Sequence, residues 1–183
     1  MIFLAETFFF KENFSFAFNS YEIYSNNALV GRVNEKTDFL KKMTGRATVD
    51  FSDENGKLLF TAVKPFSFLR PKFDIFGADG KLLGSVVKKI MAIGPAFTIY
   101  DASGKTIGSF KGDLIGWNYS ILDSSGAEVA SVNKKFAGIA SELLTSKDNY
   151  LLTVKNANFP TEISMACPVI ADMLLKDNNK RKK

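Results

Sequence analysis

The sequence has no histidine and a single cysteine, Cys167, among its 183 residues. These absences exclude disulfide bridges within the chain, zinc sites built from cysteine and histidine, and catalytic triads with a histidine base. A bound metal ion would need oxygen ligands. No candidate nucleophile has a neighbouring base in any recognisable motif. We therefore expect a protein that is not an enzyme and that uses no cofactor.

Strong charge of one sign and long hydrophobic runs are also absent. The net charge is +5, and the last residues, Lys180–Lys183, contribute four of the positive charges. The apolar opening stretch contains Glu6 and has no basic segment before it, so it predicts a strand rather than a signal peptide. We expect a cytoplasmic monomer that has no nucleic-acid partner. The candidate partner is an anionic membrane surface, with which the protein would associate peripherally.

Residues 161–176, TEISMACPVIADMLLK, predict a helix that is apolar on nearly every side. Such a helix must be enclosed by protein or by lipid. Its apolar part, Ile163–Leu175, falls short of the roughly 20 residues that span a bilayer, and Pro168 and Asp172 also favour protein. Pro168 predicts a kink. This helix would place Cys167 and Asp172 in the core. A buried carboxylate must be paired or hydrogen-bonded, so for Asp172 we expect a lysine, an arginine or backbone amides as partner.

Turn-like clusters repeat along the rest of the chain. Their glycines follow one another at intervals of 24, 24 and 22 residues, and each cluster contains an aspartate. Glycine tolerates positive φ and aspartate caps its own turn, so these clusters predict β-hairpins; Ser25-Asn26-Asn27 is an earlier, degenerate copy. The glycines are Gly56, Gly80, Gly104 and Gly126. We expect about twelve strands in a single domain, residues 1–177, followed by a disordered basic tail, residues 178–183.

A second repeat follows each turn at a distance of four residues. Most residues at this position are small, and glycine inside a strand often marks the close approach of another backbone. If these residues face inward, they make room for the helix inside a closed barrel. The alternative is a set of β-bulges, and the sequence does not separate the two. The positions are Gly31, Phe60, Gly84, Gly108 and Ala130.

Lysines recur seven to nine residues after the turn glycines, at the far end of each hairpin's second strand. This spacing predicts acidic turns at one rim of the barrel and lysines at the other. A basic rim would attract anionic headgroups with roughly 1 kcal/mol per lysine near a charged membrane. Alternatively, lysines at strand ends only keep the sheet soluble. The candidate ligand-binding residues are Lys64, Lys88, Lys89, Lys111, Lys134 and Lys135.

Several segments carry a resemblance to known proteins. They are Asn19–Ile23, Val63–Phe66, Phe97–Asp101, Phe136–Leu143 with Asp148–Tyr150, and Ala166–Met173. In their order and spacing, the chain resembles the phospholipid scramblase and LURP-one-related families from about Asn19 to Asp177. These families share the tubby C-terminal-like fold. The resemblance implies a closed antiparallel barrel of twelve strands around a central C-terminal hydrophobic helix, in agreement with the patterns above.

The departures from the scramblases concern lipid anchoring and calcium. The chain has no cysteine-rich palmitoylation run, so Cys167 is expected to be buried. The segment that corresponds to the proposed calcium site offers Asp148 but no second carboxylate, whereas calcium prefers several charged oxygens. We therefore assign no metal site.

Taken together, these features predict a non-enzymatic scramblase-like or LURP-one-like domain that binds phospholipid headgroups or another anionic partner at the barrel surface. One alternative is a phospholipid scramblase that moves lipids between leaflets, which would require the helix to enter a membrane. The other alternative is a protein-interaction scaffold with no small ligand.

Overall fold

The computed structural model describes residues 7–13, 20–67, 69–113, 118–134 and 149–180. Within these ranges the chain forms twelve strands and two helices. The strands are β1 (Thr7–Glu12), β2 (Ser20–Ser25), β3 (Ala28–Glu35), β4 (Ala47–Asp53), β5 (Leu58–Lys64), β6 (Lys72–Gly77), β7 (Leu82–Lys88), β8 (Ala96–Asp101), β9 (Thr106–Gly112), β10 (Asn118–Asp123), β11 (Glu128–Asn133) and β12 (Tyr150–Val154). The helices are α1 (Phe39–Met43) and α2 (Thr161–Lys180).

The twelve strands form one closed antiparallel barrel in which each strand pairs with its neighbours in sequence. The first and last strands also pair, with Phe8 opposite Leu152, and this pairing closes the sheet. Both of these residues are fully buried, as expected for side chains that alternate between the inside and the outside of a barrel. The predicted fold class and strand number are confirmed.

The predicted hairpin turns are present, and all of them lie at one end of the barrel, which we call the turn end. Their four glycines have φ between 77° and 88°, a region that suits glycine. The earlier copy uses Asn26 and Asn27, with φ of 49° and 63°, because asparagine also tolerates this conformation. In the last turn the Asp123 carboxylate accepts the backbone N–H groups of Ser125 and Ala127.

Helix α2 fills the barrel. It follows β12, whose last residue lies at the turn end, and it runs toward the opposite end, which we call the lysine end. Every residue from Ile163 to Leu174 is buried, including Cys167. Burial raises the pKa of the Cys167 thiol well above its usual range. The sequence therefore identified the core helix correctly, and the kink at Pro168 stays a prediction.

The helix is longer than the predicted residues 161–176, because it continues to Lys180. Residues 178–180 are helical rather than part of a disordered tail, and residues 181–183 lie outside the described residues. Asp177 to Lys180 are polar and carry no core signal, but adding residues to an existing helix costs little compared with nucleating one.

Both interpretations of the small-residue repeat are correct. In each of the five hairpins the register shifts immediately beside the repeat position, as in a β-bulge, and the residue there is small in four hairpins and Phe60 in the fifth. The glycines also face the core. A Cβ atom added to Gly84 would lie 2.7 Å from Cδ1 of Ile163 in α2, and one added to Gly108 would lie 3.3 Å from the ring of Phe159. A side chain at Gly84 would therefore collide with Ile163 of α2, and one at Gly108 would press on Phe159, which precedes the helix.

Candidate functional site

The lysine end carries a ring of inward-facing positions, one from every second strand. Strands β1, β3, β5, β7, β9 and β11 all run toward this end. Cross-strand partners lie on the same face of a sheet, and Lys64 and Lys88 pair with the buried residues Ala47 and Phe97. The corresponding last inward positions form what we call the mouth ring: Glu12, Glu35, Lys64, Lys88, Gly112 and Lys134.

The structure distributes the six predicted lysines among different environments. Lys64 faces inward and is only 9% exposed, so it is not open to a ligand at the surface. Lys88 is half-buried in the mouth ring, and Lys89 follows it at the start of the β7–β8 connection. Lys134 lies over the ring of Tyr150, with its ammonium nitrogen 5.9 Å from the ring centre.

The remaining two lysines do not join the mouth ring. Lys111 follows the inward-facing Phe110, so it points outward and is exposed on the barrel wall. Lys135 lies outside the described residues. The placement of the five described lysines at one end agrees with the spacing argument, whereas the binding role of all six stays a prediction.

The carboxylate of Asp172 lies inside the lysine end and is 1% exposed. The hydroxyl groups of Tyr21 and Tyr150 donate hydrogen bonds to its two oxygens, at 2.5 and 2.8 Å. These tyrosines lie near the starts of β2 and β12, the two strands that flank β1, so the Asp172 carboxylate links the last helix to both sides of the barrel closure. Sequence reasoning named lysine, arginine or backbone amides as the partner and missed the phenols.

The mouth ring has no side chain at Gly112, and a tyrosine occupies that space. The ring of Tyr119 lies where a Cβ atom on Gly112 would be, closer than van der Waals contact allows. Tyr119 is 2% exposed, and its hydroxyl has no hydrogen-bond partner among the described residues. Burial, Asp113 and Asp172 raise the pKa of Tyr119 to about 12. The phenol therefore stays protonated and able to donate a hydrogen bond.

A pocket of about 380 Å³ opens beside this tyrosine. Its wall combines polar and apolar groups from the end of β7, the β7–β8 connection, the starts of β8 and β10, and α2. Within the described ranges, neither lysine of the wall forms a salt bridge. The residues that line this pocket include Lys88, Lys89, Phe97, Tyr119, Ala171 and Leu174.

Exposed apolar side chains gather at the same end. They lie in three consecutive connections, β3–β4, β5–β6 and β7–β8, which are adjacent around the barrel. The last two are tied together, because the Arg70 guanidinium donates to the carbonyl of Lys88 and the Lys88 N–H donates to the carbonyl of Pro71. Met91 and Ile93 are the most exposed, at 95% and 93%. We call this group the apolar tips: Leu40, Met43, Phe66, Leu69, Ile90, Met91 and Ile93.

The turn end has the opposite character. Hydroxyl hydrogen bonds from Ser103 and Ser125 lower the pKa values of Asp101 and Asp123. These carboxylates therefore stay ionised at neutral pH. The apolar tips and the mouth-ring lysines thus lie at one end of the barrel, whereas the turn end combines the acidic turns with exposed lysines such as Lys57 and Lys105.

Comparison with known proteins identifies the family. The family model described as LURP-one-related matches residues 6–172. The chain belongs to the LURP-one-related family. A crystal structure of a protein from Arabidopsis thaliana is similar, with 14% sequence identity, a TM-score of 0.58 and coverage of 97% of this chain and 95% of that chain. At this identity the likeness shows the fold alone. The search of curated proteins found no match.

For this LURP-one-related protein, the other expectations concern metals and membranes. Across the ranges that the structure covers, no three acidic or cysteine side chains come close enough to hold a metal ion. Asp148, the calcium candidate, lies outside the described residues. In the part of the chain that the structure describes, neither helix combines the length and the hydropathy needed to cross a bilayer.

The buried phenols predict a loss of stability at alkaline pH. Burial and the Asp172 carboxylate raise the pKa of Tyr21 well above its usual value of 10. Above pH 10 the unfolded chain releases protons that the folded chain keeps, so the free energy of unfolding falls, by up to about 1.4 kcal/mol per pH unit for a fully buried tyrosine. Urea unfolding at several pH values between 8 and 11.5 measures this slope.

The matched variant for the alkaline measurement is Tyr21→Phe. It loses a hydrogen bond and is less stable at every pH, but its free energy of unfolding should fall less steeply above pH 10. The same slope in both proteins would show that Tyr21 titrates normally in the folded state.

Proposed function

We propose that this protein is a non-enzymatic module that binds anionic phospholipid headgroups at the lysine end of its barrel. One observation carries the proposal: exposed apolar side chains and cationic side chains occupy the same end. Exposed apolar groups in a contiguous patch mark interaction surfaces. Lysines near an anionic membrane add electrostatic attraction, whereas apolar groups gain by leaving water.

The arrangement favours a bilayer as the anionic partner. The apolar tips project from three neighbouring connections, and Lys89 lies beside Ile90 at the base of one of them. A bilayer offers headgroup charge at its surface and hydrocarbon below, so it matches side chains of both kinds. The acidic turns would then face away from the membrane, because they lie at the opposite end of the barrel.

Vesicle sedimentation tests the proposal. Vesicles of phosphatidylserine and phosphatidylcholine should bind the protein at low salt, and pure phosphatidylcholine should bind it much more weakly. The double variant Lys88→Gln/Lys89→Gln should bind roughly 30-fold more weakly, at about 1 kcal/mol per lysine. The variant Met91→Ser/Ile93→Ser should also bind more weakly, because both side chains are exposed and would enter the bilayer.

The matched control removes two lysines from the turn end. Lys57 and Lys105 are exposed there, and Lys57→Gln/Lys105→Gln changes the net charge by the same amount. This control should bind vesicles within about twofold of the wild type if orientation decides binding. If the wild-type protein does not bind anionic vesicles at low salt, the proposal is wrong, and that result would favour a protein-interaction scaffold.

A further inference from the structure

The sulfur-containing side chains that the structure describes fall into two groups with opposite environments. Met43 and Met91 belong to the apolar tips, where they are 72% and 95% exposed. Met165, Cys167 and Met173 lie in α2 inside the barrel, where they are 1%, 0% and 7% exposed. Within the described ranges, an oxidant in solution therefore has free access only to the two methionines on the proposed membrane-binding surface.

The cysteine does not compete for an oxidant. A cysteine thiolate normally reacts with peroxides before a methionine does, and its susceptibility follows thiolate character and exposure. Cys167 has neither property, because it is fully buried and because burial raises the pKa of its thiol well above the usual range. A peroxide that meets the folded protein consequently reacts with the exposed thioethers.

Oxidation changes the chemical character of a methionine in the apolar tips. In the reaction with hydrogen peroxide, a lone pair of the sulfur forms a bond to one peroxide oxygen and the O–O bond breaks. The other oxygen takes up the proton of the transferred oxygen and leaves as water. The sulfur is oxidised by two electrons, and the peroxide is reduced by the same two. The product, methionine sulfoxide, is polar, whereas methionine is apolar.

The two methionines lie on opposite flanks of the apolar tips. Met43 ends α1 in the β3–β4 connection and Met91 lies in the β7–β8 connection, with the β5–β6 connection between them. An apolar side chain that enters a bilayer gains by leaving water. A sulfoxide at the same position would lose its hydration without finding a hydrogen-bond donor in the hydrocarbon. Oxidation would therefore remove the gain at both flanks.

We infer that Met43 and Met91 are oxidation sites through which a peroxide releases this protein from anionic membranes. The inference rests on the proposed membrane function, since it names a modification that regulates the same surface. Methionine sulfoxide reductases reverse this oxidation, so the release is reversible. Oxidation changes no formal charge, so the regulated part is the apolar tips and not the lysines.

Peptide mass spectrometry after brief treatment with dilute hydrogen peroxide tests the selectivity. The peptides that contain Met43 and Met91 should gain one oxygen atom each, at least about tenfold faster than those with Met165 and Met173, which react only when the barrel opens. Urea unfolding of the oxidised protein should match that of the untreated protein, because changes at exposed positions affect stability little. Equal rates in the tips and the core, or loss of folded structure, would overturn the inference.

Sedimentation with vesicles of phosphatidylserine and phosphatidylcholine tests the release. The oxidised protein should bind about tenfold more weakly than the untreated protein, as expected when an apolar side chain no longer enters the bilayer. The salt dependence of its remaining binding should be unchanged, because the lysines keep their charge. Treatment with methionine sulfoxide reductases A and B should restore binding. Unchanged vesicle binding after complete oxidation of Met43 and Met91 would overturn the inference.

The matched control is Met43→Leu/Met91→Leu. Leucine is similar in size and apolar character but has no sulfur, so this variant should bind vesicles within about twofold of the wild type both before and after peroxide treatment. Met1, which lies outside the described residues, stays oxidisable in this variant. An equal loss of binding by the oxidised variant would assign the effect to other residues and overturn the inference. Untreated wild-type protein that does not bind vesicles would instead contradict the proposed membrane function itself.

Discussion

Replacing Asp172 with alanine is expected to lower the free energy of unfolding by about 4 kcal/mol. The substitution leaves the hydroxyls of Tyr21 and Tyr150 buried without their acceptor, at roughly 1–3 kcal/mol each, and opens a small cavity beside the helix. Urea unfolding at pH 7 measures the change. An unchanged unfolding midpoint would show that the carboxylate contributes nothing to the folded state.

The control for Asp172 removes the donors together with the acceptor. Replacing both partners of a buried hydrogen bond with apolar groups of similar shape is far less costly than removing one of them. The triple variant Asp172→Leu/Tyr21→Phe/Tyr150→Phe should therefore recover at least half of the stability that Asp172→Ala loses. If the triple variant were less stable than Asp172→Ala, the loss would come from packing rather than from unpaired hydroxyls.

Replacing Gly108 with alanine is expected to cost about 3 kcal/mol, although it adds a single methyl group. The added Cβ would overlap the backbone carbonyl oxygen of Leu122 and press on the Phe159 ring beneath α2. A backbone atom held in a sheet cannot rotate away, so the strands must separate or the helix must shift. Overpacking of this kind typically costs about 1–3 kcal/mol. Thermal and urea unfolding both report the loss.

Gly77→Ala is the matched control for Gly108→Ala. It is also a strand glycine, but an added Cβ would meet only side-chain atoms, the nearest being Oδ1 of Asp79 at 3.0 Å. The exposed end of a side chain moves easily, so we expect a loss below about 1 kcal/mol. Equal losses in the two variants would show that the backbone contact at Gly108 is relieved without cost.

Much of the barrel could be predicted because its signals are local. Each turn needs a residue that accepts positive φ, so Gly56 and its three counterparts are visible as a repeat of nearly constant spacing. The small residue four positions later reports both the bulge and the approach of the helix. Helix burial was visible from composition, whereas the end of the helix was not, because its last residues are polar and carry no apolar pattern.

The mouth ring shows where local patterns are insufficient. Lys64 and Lys88 lie four residues after an inward-facing position, so they also face inward, whereas Lys111 lies three residues after Gly108 and faces outward. Strand side chains alternate between the inside and the outside of the barrel. Counting this alternation from the repeat position four residues after each turn would have assigned each lysine to the correct face.

The partners of Asp172 were not available from the sequence by the same reasoning. Tyr21 and Asp172 are 151 residues apart, and their contact depends on the closure of the barrel and on the rotation of α2. The pocket beside Tyr119 depends on the same two conditions. Neither condition leaves a periodic trace in the sequence.

The position of the filling helix has a consequence for the order of folding during synthesis. Helix α2 leaves the ribosome after all twelve strands. The sheet cannot close until β12 has been synthesised, because β12 pairs with β1, with Phe8 opposite Leu152. Contacts between such distant parts of a chain form slowly, and domains of this size pass through incomplete states. A nascent chain that ends before Thr161 has all twelve strands but lacks the helix that fills the barrel, and we expect molecular chaperones to shield its apolar core side chains until α2 emerges.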